Sequence, residues 1–144
     1  MRLTSFTDFG LRALMRLAAS PDQSATTAEL AEELQISRNH LAKVVQALVQ
    51  AGYLVTRRGG GGGAMLARPP ETIRLGDVVR TLERGQHVVE CLAKPGSDCP
   101  FLGCCAMRHR LRAAEEMFLA ELNRATLAEV ALRPVGRPTV IECA

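Results

Sequence analysis

Apolar residues recur at helical spacing through the first third of the chain. In TDFGLRALMRLAAS, Phe9, Ala13 and Leu17 fall four apart, with Leu14 and Ala18 beside them. That stripe predicts an amphipathic helix stopping at Ser20-Pro21. Thr26 and Glu29 are spaced as a capping box ahead of AELAEEL, which predicts a short second helix reaching about Leu34. After the brief QIS linker, Ser37 can cap a third helix that turns Leu41, Val44, Val45 and Leu48 inward, with Gly52 at its C-terminal end. The same register leaves Arg38, Asn39, Lys43 and Gln46 facing water.

The period then changes. YLVTRR, five glycines from Gly59 to Gly63, AMLAR and Pro69-Pro70 predict two short strands around a flexible tip. Two helices on a three-residue linker followed by such a hairpin describe a winged helix-turn-helix, with the third helix as the reading helix. Further on, RLGDVVRTLERG places Leu75, Val78, Val79 and Leu82 in helical register and stops at Gly85. From about Cys105 to Ala128 the seam Met107, Leu111, Ala114, Phe118, Leu122 and Ala125 predicts one long helix, roughly 36 Å in extent. An apolar seam on a terminal helix needs a partner, and a two-fold homodimer supplies one. The chain therefore divides into a DNA-binding unit at 1–70, a loop-and-dimerisation unit at 71–130 and a loosely ordered tail at 131–144.

Composition supports a mainly α fold: 47% of residues are hydrophobic and only 3% aromatic, so Leu, Val and Ala must build the core. Arg2, Asp8, Arg12 and Arg16 interrupt the N-terminal apolar residues, which excludes a signal sequence or membrane span there and predicts a cytoplasmic protein. The net charge of +3 is modest but unevenly spread. No acid occurs between Glu33 and Glu71, whereas Arg38, Lys43, Arg57, Arg58 and Arg68 fall inside that interval. A one-signed surface on a reading helix points to double-stranded operator DNA. Arg38, Asn39 and Gln46 are the candidates for base edges, and Ser37, His40 and Lys43 suit phosphate or mixed contacts. In the wing, Arg57 and Arg58 suit phosphates or the minor groove. An ordinary solvated helix face could carry any one of these residues; the set, not the individual, makes the argument. No catalytic constellation or phosphate loop is visible, so the sequence does not read as an enzyme.

Cysteine chemistry changes the picture most. CLAKPGSDCPFLGCC holds Cys91, Cys99, Cys104 and Cys105, with seven residues between the first two and five between Cys99 and Cys105. Neither the close C-x2-C pairs of structural zinc sites nor a thiol-redox pair is present. Three separated thiolates with Gly and Pro between them can instead wrap an object larger than one ion, such as an iron-sulphur cluster. Adjacent helix positions point about 100° apart, so Cys104 and Cys105 do not act together and Cys104 is a spare thiol. Cys143, in the tail, reads as an uninvolved surface cysteine.

With SRNHLAKVVQALVQAGYLVTRRGGGGG, the cysteine loop and CAMRHRLRAAEEMFLAELNRATLAEV in this order, the chain resembles the NsrR-type nitric-oxide-sensing repressors, relatives of the IscR regulators, over nearly its whole length to about Val130. The resemblance implies that Cys91, Cys99 and Cys105 ligate a cluster, [4Fe-4S] by preference, and that the partner's Asp8 adds an oxygen ligand. Asp8 also suits the first turn of a helix without any metal, through the macrodipole. The IscR-like alternative, a [2Fe-2S] regulator, uses a histidine three residues after the last cysteine; Arg108 stands there, and His109 is one step further round the helix. His87, ahead of the loop, reads as structural. The implied function is a homodimeric repressor that nitric oxide releases from its operator by dismantling the cluster. An iron-sulphur electron carrier with a basic docking face and a DNA-binding protein with structural zinc are the competing readings.

Overall fold

The structure, a computed structural model, describes residues 2–57, 59, 62–93 and 98–131, and the backbone alone at 133–134 and 141–142. Arg58, Cys143 and the middle of the glycine run lie outside the described residues.

Helix α1, Ser5–Ala18, starts where the Thr4 hydroxyl accepts the Thr7 N–H. Its inner face buries Ala13, Leu14 and Leu17, joined by the fully buried Thr7. Helix α2, Thr27–Leu34, carries the expected capping box: Glu29 accepts the Thr26 N–H at 2.7 Å while Thr26 accepts the Glu29 N–H. Arg16 Nη2 donates to Glu33 Oε1 at 3.0 Å and ties α1 to α2. The linker works because Gln35 takes the left-handed conformation at φ 53° and drops Ile36 into the core. Ser37 then caps α3, Arg38–Gln50, by accepting the His40 N–H at 3.3 Å. Leu41, Val44 and Leu48 are fully buried, and each such burial contributes about 2 kcal/mol.

Strands β1, Leu54–Arg57, and β2, Gly63–Leu66, pair antiparallel with Leu54 opposite Leu66 and Arg57 opposite Gly63. Ala25 bonds both ways to Ala64 and adds a third backbone to the wing root. That approach explains the last glycine of the run: a Cβ on Gly63 would fall 2.5 Å from the Ala25 carbonyl.

A 3-10 turn, Pro70–Thr72, leads to α4, Leu75–Leu82, then to the single-turn α5, Glu90–Ala93, and to α6, Ala106–Leu122. A second 3-10 turn at Leu127–Val130 returns to the body, and Leu127 is fully buried with Ile73 and Val78 in the cluster that α1 to α3 build. The short β3, Arg133–Pro134, and β4, Ile141–Glu142, pair antiparallel in the tail. The mainly α winged helix-turn-helix is thus present.

The long helix is shorter than its seam predicts. It ends at Leu122 and spans about 25 Å, not 36 Å. Asn123 stops it by turning its side chain onto the start of α4. Within the chain, Leu119, outside the predicted seam, is the buried residue of α6. Met107 remains 63% exposed and Met117 73% exposed.

Candidate cysteine loop and reading face

Cys105 is the N-cap of α6, and its thiol accepts the Arg108 backbone N–H at 3.4 Å. Cys91 lies on α5, and its backbone carbonyl accepts Arg108 Nε at 3.3 Å. Cys99 opens the turns that lead into α6, with its carbonyl accepting the Leu102 N–H at 3.1 Å. Cys91, Cys99 and Cys105 are half-buried and form no disulfide, and Cys104 is exposed.

The structure brings Cys91 and Cys105 to the same end of α6 through Arg108. Among the described residues of one chain, no three His, Cys, Asp or Glu side chains converge as a single-ion site would require.

Asp8 sits in the first turn of α1, its side chain 46% exposed and paired with Arg12 at 2.8 Å. It does not join the cysteines of its own chain. His87 Nδ1 lies 3.2 Å from Glu115 Oε2, and His109 is exposed.

On α3, Arg38, Asn39, His40, Lys43 and Gln46 are all exposed. Stepping about 100° per residue places Asn39, Lys43 and Gln46 within about 60° of one another, opposite the buried face. His40 projects from the flank. Its ring stacks on Phe9 of α1, with centroids 6.5 Å apart, and with Ser5, Phe6, Phe9, Lys43 and Val44 it lines a small apolar notch of about 130 Å3. Ser37 also has a prior engagement, since its oxygen caps α3. Arg57 is exposed at the end of β1, beside the wing tip.

The long-range ties made by two residues were invisible to sequence reasoning. Arg108 carries no signal because the carbonyl it binds is seventeen positions away. Glu83 is the other: its Oε1 accepts the Thr4 N–H at 2.7 Å and the Thr4 hydroxyl at 2.9 Å, tying the start of α1 to the end of α4.

Residues 3–133 match the Rrf2 family, whose members are iron-dependent transcriptional regulators. The HTH-type transcriptional regulator NsrR of Bacillus subtilis (strain 168) is 40% identical over 131 residues, covering 90% of each chain. In three dimensions the chain is similar to T. potens IscR, with a TM-score of 0.69 and 22% identity over 89% of this chain and 84% of that one. CymR, the global cysteine regulator of B. subtilis, gives a TM-score of 0.68 and 24% identity over 88% and 93%. These two likenesses concern the fold; the resemblance to NsrR is carried by sequence as well. No helix among the described residues is long and apolar enough to cross a membrane.

Proposed function

The chain belongs to the Rrf2 family of iron-dependent transcriptional regulators, and from that premise we propose that it is a cytoplasmic homodimeric repressor whose hold on operator DNA depends on an iron-sulphur cluster. The observation that carries the reading is the loop in which Cys105 caps α6 and is linked to Cys91 through Arg108, in a chain so similar to NsrR. Cys91, Cys99 and Cys105 would hold the cluster, [4Fe-4S] by preference, with the partner's Asp8 as the fourth ligand. When bound, the cluster supplies iron that nitric oxide attacks.

The chain's own residues then define what changes. Asp8 stands on the exposed side of α1 and exchanges a bond across the dimer for its local pairing with Arg12. Through the stacked rings of Phe9 and His40, α1 bears on α3, so a shift of α1 alters the separation of two reading helices that must enter successive major grooves. Asn39, Lys43 and Gln46 would face the bases, Arg38 and Ser37 the edge of the groove, and His40 the backbone at most. Arg57 would follow the flanking phosphates, and Arg58, outside the described residues, is proposed beside it. The half-exposed seam of α6 supports the dimer.

Operator binding by anaerobically purified protein, with iron and sulphide quantified in parallel, tests this reading. Bound cluster and a sharp loss of affinity on stoichiometric nitric oxide are expected. Unchanged affinity would remove the sensing role. An Asp8→Ala protein should load the cluster but respond differently to the signal. The [2Fe-2S] alternative is disfavoured by Arg108, whose side chain is committed to the Cys91 carbonyl.

A further inference from the structure

The residue at the third position of α6 makes two bonds at once. Arg108 donates its backbone N–H to the Cys105 thiol at 3.4 Å and its side-chain Nε–H to the Cys91 carbonyl at 3.3 Å. α5 is a single turn, and the Cys91 carbonyl within it takes a donor from α6. Arg108 is half-buried at this junction, where a hydrogen bond from a charged donor is stronger than it would be in open water.

The second tie lies two turns along the same face of α6. Glu115, seven residues after Arg108, meets His87, four residues before Cys91. The segment from His87 to Cys91 therefore runs antiparallel to α6 and is fastened at both ends. Of the two ties, only Arg108 contacts the residues that bear thiols.

We propose that Arg108 is a positioning residue of the cluster site, fixing Cys91 against the helix end that presents Cys105 so that two of the three thiols are set in place by the protein itself. The role rests on the cluster reading given above. In this arrangement Cys99 alone is delivered by the intervening loop. Arg108 would thus organise the residues that bear the ligands while offering none of its own.

The test uses the full-length protein, wild type, Arg108→Ala and Arg108→Lys. In cluster-free protein, amide hydrogen exchange at residues 89–93 should quicken about tenfold in Arg108→Ala, the effect of losing one charge-assisted hydrogen bond. Exchange through the rest of α6 and the melting temperature should hardly move. After anaerobic loading with iron and sulphide, Arg108→Ala should lose its cluster to a chelator about tenfold faster than wild type, with altered iron-sulphur stretching frequencies. Arg108→Lys, which keeps a cationic donor on a long stem, should recover part of both. Unchanged exchange at 89–93, or unchanged chelator resistance in loaded protein, overturns the positioning role alone. A wild type that takes up no iron and sulphide overturns the cluster reading, and this role with it, whatever the exchange shows.

Discussion

Asn123 grips Asp77 at two points. Its side-chain oxygen accepts the Asp77 backbone N–H at 2.9 Å, and its amide donates to Asp77 Oδ1 at 3.0 Å. α4 has no side-chain cap from its own N-cap residue, Arg74, so the residue that ends α6 satisfies the start of α4. Replacing Asn123 by Ala should cost about 1–2 kcal/mol in denaturant unfolding. Asn123→Asp should do no better, because it sets a carboxylate against Asp77. Wild-type stability in the Ala variant would show that water replaces the bond.

Gly76 marks the closest approach of α4 and α6. A Cβ there would collide with the Leu119 carbonyl and lie 2.6 Å from Asn123 Oδ1. Backbone cannot yield without separating the helices, so Gly76→Ala should lose about 3 kcal/mol or more. Gly10 makes a useful contrast. Its Cβ would meet Leu82 Cδ1, the far end of a flexible side chain, at 2.5 Å. There the gain in helix propensity, about 1 kcal/mol, should offset most of the strain. Equal losses at the two sites would contradict this account.

Acid should weaken the fold through two of its caps. The Thr26 backbone N–H and, next, its hydroxyl hold the Glu29 carboxyl below its ordinary value of 4.5, and Thr126 does the same for Glu129. A carboxylate with a lowered folded pKa adds stability above its unfolded value and loses it as pH falls through the folded one. The melting temperature should therefore drop from about pH 5 downward, and Glu29→Gln should start lower at neutral pH and fall less steeply. Parallel curves for the two proteins would place the acid sensitivity elsewhere.

On DNA, the positions on α3 should separate by role. Asn39→Ala and Gln46→Ala should each cost about 1–3 kcal/mol on the operator and relax base preference locally. Arg57→Ala should weaken binding to all sequences and reduce the logarithmic salt slope by about 1. His40→Ala should leave base choice intact, since that ring is turned toward Phe9. Competition binding over a salt series reads all four, and a change of sequence preference in His40→Ala would reassign the flank.

Met117, at 73% exposure on α6, should be covered in the dimer. Met117→Glu places a carboxylate on that exposed face, beside the seam, and should yield monomers in sedimentation, with α-helical content retained and operator affinity sharply reduced. A persistent dimer would move the interface off this face.

Much of this was legible in the sequence because the relevant forces act over a few residues. Capping by Thr26, Glu29 and Ser37, the inward Leu41, Val44 and Leu48, and the stop near Gly52 are all local consequences of helix geometry. The true end of α6 was not legible, since Asn123 is recruited by a partner 46 positions away. His40 shows the same limit: its flank position follows from helix stepping, but its attachment to Phe9 depends on how α1 lies across α3. In the cysteine loop, the order and separation of the thiols were plain, whereas α5 and the bond from Arg108 to Cys91 are tertiary facts.

Leu127 is fully buried, and its N–H reaches the Ile73 carbonyl at 2.8 Å. This late residue is a keystone for the winged helix, closing a contact that spans more than fifty positions. During synthesis, α1 to α3 can meet as they leave the ribosome, but their hydrophobic floor is laid only when residues near Val130 emerge. A nascent chain paused before that point leaves apolar surface open to chaperones and proteases.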